Sequence, residues 1–198
     1  MPIIVDKEQK RRDIALACRD LLLEEGIEKL TVSQIARTAG VGKGTIYEYF
    51  ANKEDIVFEI ITSFIDKYHQ DLTALIEASL PTRKKLFTIF YTLFGSSQGQ
   101  KHLELYKEFL AISLTRKDPE MLHFGAQARA KFLSIVDAIL RQGVQNGELE
   151  ARFADAGESL MIFNSGLMLD SRLENFDVHL HLEQLLDILF GTNGGETT

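Results

Sequence analysis

Residues 31–50, TVSQIARTAGVGKGTIYEYF, constrain the fold more than any other stretch of this chain. Thr31 and Gln34 have the spacing at which a threonine caps a helix and a glutamine reaches back to the cap's own amide. Ile35, Ala36 and Ala39 give that helix a short apolar face, small enough for a second helix to pack closely across it. Gly40 falls where the first helix must stop and the backbone must turn through positive φ. Val41 can fill the core beneath the turn, and Gly42 can open a second helix over 43–50. Ile46 and Phe50, with one edge of Tyr47, make a narrow inward stripe. Lys43, Thr45, Tyr49 and the rest of Tyr47 are left facing out. A short helix led by a cation, with hydroxyls beside it, suits a DNA major groove. Pattern alone also admits any helical hairpin with a tight turn.

Followed by ANKEDI, this stretch resembles the N-terminal domain of TetR-family transcriptional regulators. The shared pattern is a capped helix, Ile-Ala, Ala-Gly-Val, a small residue, x-Gly-x-x-Tyr-x-x-Phe and a Lys-Glu pair. The departure is Gly42, where the family often has a serine that could both cap the helix and touch a phosphate. The resemblance implies a double-stranded DNA operator as partner. It matches Lys43, Gly44, Thr45, Tyr47, Tyr49 and Lys53 to DNA contacts, with Thr31 and Ser33 at the edge of the site. Lys43 and Thr45 are expected to reach bases or nearby phosphates, and Tyr47 and Lys53 to grip phosphates and set the register.

Charge distribution fits this better than net charge does. The total is −7, yet residues 1–50 carry eight Lys/Arg against eight Asp/Glu, and residues 51–198 carry fourteen against twenty-one. From Lys29 to Lys53 there are four cations and one acid, Glu48. A basic tip on an acidic body can hold phosphate because salt confines each field to ~8–10 Å. It should also orient the approach and make binding salt-sensitive. The N-terminal cluster Lys7, Lys10, Arg11 and Arg12 reads either as a solvated helix end or as one or two contacts to DNA backbone.

The chain reads as helices throughout, an all-α protein with nine helices: a three-helix helix-turn-helix head and a helical-bundle body, to which the resemblance assigns effector binding and dimerisation. The expected boundaries are 1–52 for the DNA-binding domain, 53–191 for the body and 192–198 for a mobile tail. Residues 8–25 form the first helix, ended by Gly26. Asn52 caps a long helix over 52–79, ~42 Å at 1.5 Å per residue, a natural lever between head and body. Pro81 restarts the chain, the Gly95–Gly99 stretch breaks it, and a helix resumes at 101. Asp118-Pro119 opens the next helix, Asn146-Gly147 stops it, and Asp155 with Glu158 makes an acidic capping box. Asp177 starts the last helix.

Aromatic residues concentrate in the middle of the chain. Phe87, Phe90, Tyr91, Phe94, Tyr106, Phe109 and Phe124 read as core or, by resemblance to the family, as the lining of a site for a small apolar or aromatic effector. His102, His123 and Asn164 are the polar groups placed with them. Residues 159–173, SLMIFNSGLMLDSRL, are apolar on more than one side, and the last helix carries surplus leucines. Two such helices can build a four-helix dimer interface. Phe163, Ser165, Gly166, Leu182, Leu185, Leu186 and Leu189 are its expected members, and the family also dimerises through its last two helices. A dimer presents two heads about one DNA turn (~34 Å) apart, which implies a palindromic operator.

Other classes are weaker. There is no nucleophile elbow or dinucleotide fingerprint, and Gly42-Lys43-Gly44-Thr45 lacks the upstream glycine of a phosphate loop, since position 37 is Arg. The chain is therefore not expected to be an enzyme, and no cofactor is expected. No metal site is expected either; His179 and His181 point apart if helical. The lone Cys18, among Ile14, Leu21 and Leu22, reads as packing rather than a redox sensor. No apolar run is long enough to span a membrane, and MPIIVDKEQKRRD has the wrong order for a signal peptide, so a cytoplasmic location is expected. The remaining alternative is a DNA-binding protein of the same fold controlled by a protein partner instead of an effector.

Overall fold

The computed structural model describes residues 6–116 and 119–191. The expected Asp118 cap and the tail 192–198 lie outside the described residues. Within them the chain forms ten α-helices and one 3-10 turn, and no strand. The first five are α1 (Lys7–Ala17), α2 (Arg19–Lys29), α3 (Val32–Thr38), α4 (Lys43–Tyr49) and α5 (Lys53–Glu77). Then come α6 (Thr82–Tyr91), α7 (Ser97–Arg116), α8 (Pro119–Gln145), α9 (Gly157–Asp170) and α10 (Val178–Phe190), with the 3-10 turn Ala151–Phe153 before α9. The count exceeds nine because the expected helix 8–25 breaks at Cys18, where φ is −97° and ψ is 4°. The fully buried Cys18 thiol approaches the Ile35 carbonyl at 3.5 Å, so the sulfur packs the α1–α2 break beneath α3. Burial pushes its pKa up to about 11, which makes it a poor nucleophile.

Several caps follow the sequence. Thr31 and Gln34 close the full capping box of α3. The Asn52 carboxamide oxygen accepts the Asp55 N–H at 2.7 Å, and Asp177 accepts from Leu180 at 3.0 Å. Two expectations are corrected. α7 starts at Ser97 rather than 101, because Ser96 Oγ accepts the Gly99 N–H at 3.0 Å and caps the first turn. Asp155 and Glu158 form no capping box; α9 follows Ala156 without a side-chain cap. Their carboxylates face arginines instead, Glu158 at 2.5 Å from Arg129 and Asp155 at 3.8 Å from Arg141.

The chain divides into two compact units. The first holds the described residues up to Tyr68 together with Glu104–Ala128; the second holds His69–Leu103 and the described residues from Arg129 on. α5, α7 and α8 each run from one unit into the other. The first core is built on Ile14, Leu22, Ile35, Ile46, Phe50, Ile56 and Ile60, and it extends to Leu105, Phe109, Ile112 and Met121. That extension is why the helix-turn-helix and the middle of the chain form one unit. The second core gathers Leu86, Phe90, Ile135, Val136, Ile139 and Leu140 with Leu182 and Leu186. There the buried Lys85 ammonium donates to the Ile76 carbonyl at 2.8 Å and to Gln142 Oε1 at 2.7 Å, a cation set against the C-terminus of α5. Arg83 pairs with both Glu183 and Asp187, which ties α6 to α10.

Candidate nucleic-acid interface

α3 and α4 form the helix-turn-helix. Gly40 takes φ +67°, and the Val41 N–H returns to the Ala36 carbonyl at 3.0 Å, which closes the turn. Gly42 holds the cap position of α4 in extended geometry without a side-chain hydrogen bond. Ile46 and Phe50 are buried and fix the inner face of α4. Lys43, Gly44 and Glu48 are exposed, and Tyr47 keeps 55% of its surface open. Thr45 is half-buried. Tyr49 was expected to face out, yet it packs half-buried against the core of the unit, because position 49 lies next to the inner Ile46–Phe50 stripe. On α3, Thr31 and Ser33 are exposed. Arg37, four residues after Ser33 and so on the same face, is exposed too and was not among the expected contacts. Its place in the basic run 29–53 was the signal that could have found it.

The orientation of α4 is held from behind. Arg11 Nη1 donates to the Tyr49 carbonyl at the C-terminus of α4 at 2.7 Å, and the guanidinium lies 4.5 Å from the Phe50 ring centre. It also reaches Asp55 at 2.8 Å and Glu59 at 3.1 Å. Asp55 Oδ2 accepts the Ala51 N–H at 3.0 Å. The bond from Arg11 holds the Asp55 carboxyl below the usual carboxylate range, with burial opposing and the Ala51 amide assisting. Arg11 is thus tied into the unit by its bonds rather than left as a solvated helix end. The Lys53 ammonium donates to the carbonyls of Ile27 at 3.0 Å and Glu28 at 3.2 Å.

The expected pocket residues are not gathered in one unit. Tyr106, Phe109 and Phe124 belong to the first, where Phe109 is core and Phe124 stacks on Phe58 with ring centres 5.0 Å apart. Phe87, Phe90, Tyr91, Phe94, His102 and Asn164 belong to the second. Phe90 is core there, while half-buried Phe87 and Tyr91 on α6 and Phe94 in the turn after it follow one another with ring centres 5.1 and 6.2 Å apart. His102 lies 3.3 Å from Gln98. Asn164 is buried, and its Oδ1 has no hydrogen-bond partner among the described residues. His179 sits against Phe87 and Tyr91, and His181 against Phe176, so the two imidazoles have separate aromatic neighbours.

The expected interface residues also divide. Leu182, Leu186 and Leu189 are buried in the core of their own unit and are unavailable to a partner. Phe163 and Leu185 are half-buried against that core, Ser165 is half-buried with its hydroxyl on the Met161 carbonyl, and Gly166 is exposed. The exposed apolar side chains on these helices and just after α9 are Ile162 (66%), Leu169, Leu173, Leu180 and Ile188 (73%).

Residues 14–60 match the model of the bacterial regulatory proteins of the tetR family. The fatty acid metabolism regulator protein of Bacillus subtilis is 28% identical over 144 residues, 73% of each chain. The regulator HbdR of Aromatoleum is 40% identical over 70 residues, 35% of this chain and 31% of that one. The crystal structure of FadR from Bacillus subtilis in complex with stearoyl-CoA superposes with a TM-score of 0.61 at 25% identity, covering 90% of this chain and 97% of that one. Residues 14–60 are thus of the tetR type, and the chain as a whole is similar to TetR-family regulators. The proteins it matches are transcriptional regulators rather than enzymes, and its all-helical architecture is that of TetR-family structures. Among the described residues no helix is long and apolar enough to cross a membrane.

Proposed function

We propose that the protein is a homodimeric repressor that binds a palindromic operator and leaves it when an apolar effector binds. The observation that carries the reading is the presentation of α4: Ile46 and Phe50 anchor one side while Lys43, Gly44 and Tyr47 stand open on the other. Lys43 and Thr45 read bases or adjacent phosphates, and Tyr47 grips phosphate. Dimerisation uses the exposed stripe Ile162, Gly166, Leu169 and Leu173 with Leu180 and Ile188, rather than the leucines turned into the core. Two apolar faces of this kind make a four-helix interface.

The effector is placed in the second unit, where Asn164 Oδ1 is a buried acceptor suited to a ligand that carries a donor. The similarity to a stearoyl-CoA complex supports a long-chain acyl thioester as the first ligand to test. An effector shifts the equilibrium only by its difference in affinity for the free and operator-bound states. Equal affinity for both, by calorimetry, would sink release by effector.

Selection from random duplex DNA followed by sequencing tests the core reading. A palindrome with half-sites about one turn apart is expected; enrichment of nothing overturns it. With that operator in hand, Tyr47→Ala should weaken binding to all sequences alike, measured by fluorescence anisotropy. A loss confined to one operator base would contradict a phosphate role.

A further inference from the structure

The junction between α2 and α3 is held by two side chains from distant parts of the sequence. Gly26 turns through φ +78°, ψ 175°, so the helical bonding of α2 is interrupted and the amides after it are turned away from their helical acceptors. Glu108 on α7 takes two of them: Oε2 accepts the Ile27 N–H at 2.9 Å and Oε1 accepts the Glu28 N–H at 3.0 Å. From the other side the Lys53 ammonium takes the carbonyls of the same two residues. The contact with α7 requires a glycine, since a Cβ on residue 26 would stand 2.8 Å from Glu108 Oε2. Both carboxylate oxygens are used, which a glutamine could not reproduce, having one acceptor oxygen.

The clasped peptides lead straight into the reading element. Leu30 is buried, and Thr31 is the cap of α3. α7 belongs to the second unit up to Leu103 and to the first from Glu104 on, so Glu108 lies one turn inside the first unit on a helix that continues into the second. A charge-assisted pair of bonds at that point fixes the angle between α7 and the helix-turn-helix more firmly than apolar packing alone, because hydrogen bonds are directional and apolar burial is not.

We propose that Glu108 is a positioning residue for operator recognition, clasping the Ile27 and Glu28 amides to α7 and so setting the half-site spacing the protein accepts. This rests on the reading of the protein as a dimer on a palindrome. Loss of the clasp loosens the α2–α3 junction against α7, while the shared apolar core and the groove-facing residues of α4 are untouched. Specific binding then weakens at the preferred spacing and spreads to neighbouring spacings, and binding to random DNA holds.

The test uses the full-length wild type, Glu108→Ala and Glu108→Gln. Operators from the selection are rebuilt with the half-sites moved apart or together by one and two base pairs. Affinities are read by anisotropy, beside melting temperature and hydrogen exchange at residues 27 and 28. For Glu108→Ala, affinity at the preferred spacing should fall about tenfold, the scale of one lost charge-assisted pair. The shifted spacings should change less than about twofold, and the two amides should exchange faster. Glu108→Gln should lie between, and it serves as the folded variant if the alanine does not fold. A spacing profile of unchanged shape, whether or not melting temperature drops, overturns the proposal and leaves Glu108 as a local cap. A wild type that enriches no palindrome instead overturns the dimeric reading itself.

Discussion

Lys53, matched to a DNA contact by resemblance, and Arg11, from a cluster read either as a solvated helix end or as a contact to DNA backbone, both bond to groups of the protein itself. Lys53 would carry a cost in the first turn of α5, where the helix dipole disfavours a cation. The carbonyls of Ile27 and Glu28 offset it, and no phosphate is needed to explain the residue. Arg11 looked like one charge among four at a helix start, yet it joins the C-terminus of α4 to α5 through Tyr49, Asp55 and Glu59. Its partner gives a pH signature. A carboxyl whose folded pKa is depressed stabilises the fold above its unfolded value, about 3.9, and that stability is lost as pH falls through the lower folded value. Asp55→Asn should therefore cost ~1–3 kcal/mol at pH 7. The gap from wild type should narrow below about pH 4. Urea melts at several pH values check this; a gap as wide at pH ~3 as at neutrality would refute the assignment. The sequence could not pair Arg11 with Asp55, because the contact spans 44 positions and several acids were equally available.

At the scale of the helix, local signals were legible where the cap and its acceptor are neighbours in sequence. Thr31 with Gln34, Asn52 with Asp55, and Asp177 with Leu180 are of this kind. They failed where a distant charge competes: Glu158 has the right spacing from Asp155, but Arg129 and Arg141 draw the two carboxylates away from the backbone. α4 offers a direct test. Gly42 lies in extended geometry, and a Cβ there meets nothing nearer than Thr45 Oγ1 at 3.7 Å. Gly42→Ser should therefore add a side-chain cap and stabilise the protein by a few tenths of a kcal/mol, about 0.3–0.5. It should also tighten binding to selected and random duplexes alike, since a serine phosphate contact carries no sequence information. Denaturant melts and anisotropy measure both. Lower stability would mean that the extended Gly42 geometry is not a serine-compatible cap.

For the whole molecule, the periodicity of α10 allowed two opposite assignments of its apolar faces. Leu182, Leu186 and Leu189 go to the core of the second unit, and Leu180 and Ile188 stay outside. The two faces should respond differently to mutation. Ile188→Glu with Ile162→Glu should give monomers of undiminished helix content. Leu186→Ala should leave the dimer in place and cost ~2–5 kcal/mol of stability, the usual range for a buried leucine. Sedimentation velocity and circular dichroism distinguish them. A dimer that survives both glutamates would move the interface elsewhere.

Residues 31–50 by themselves determined the helix-turn-helix, because its caps, its positive-φ glycine and its inward stripe all lie within twenty positions and act through neighbours. Helical periodicity and sparse prolines likewise set the all-α class. Tertiary structure alone decided which leucine face of α10 is core, which charges are struts, and that the aromatics fall into two cores. Those outcomes depend on partners up to a hundred residues away, as Arg83 and Glu183 are. A side chain's local pattern gives the direction it leaves its helix, and only packing decides what stands there.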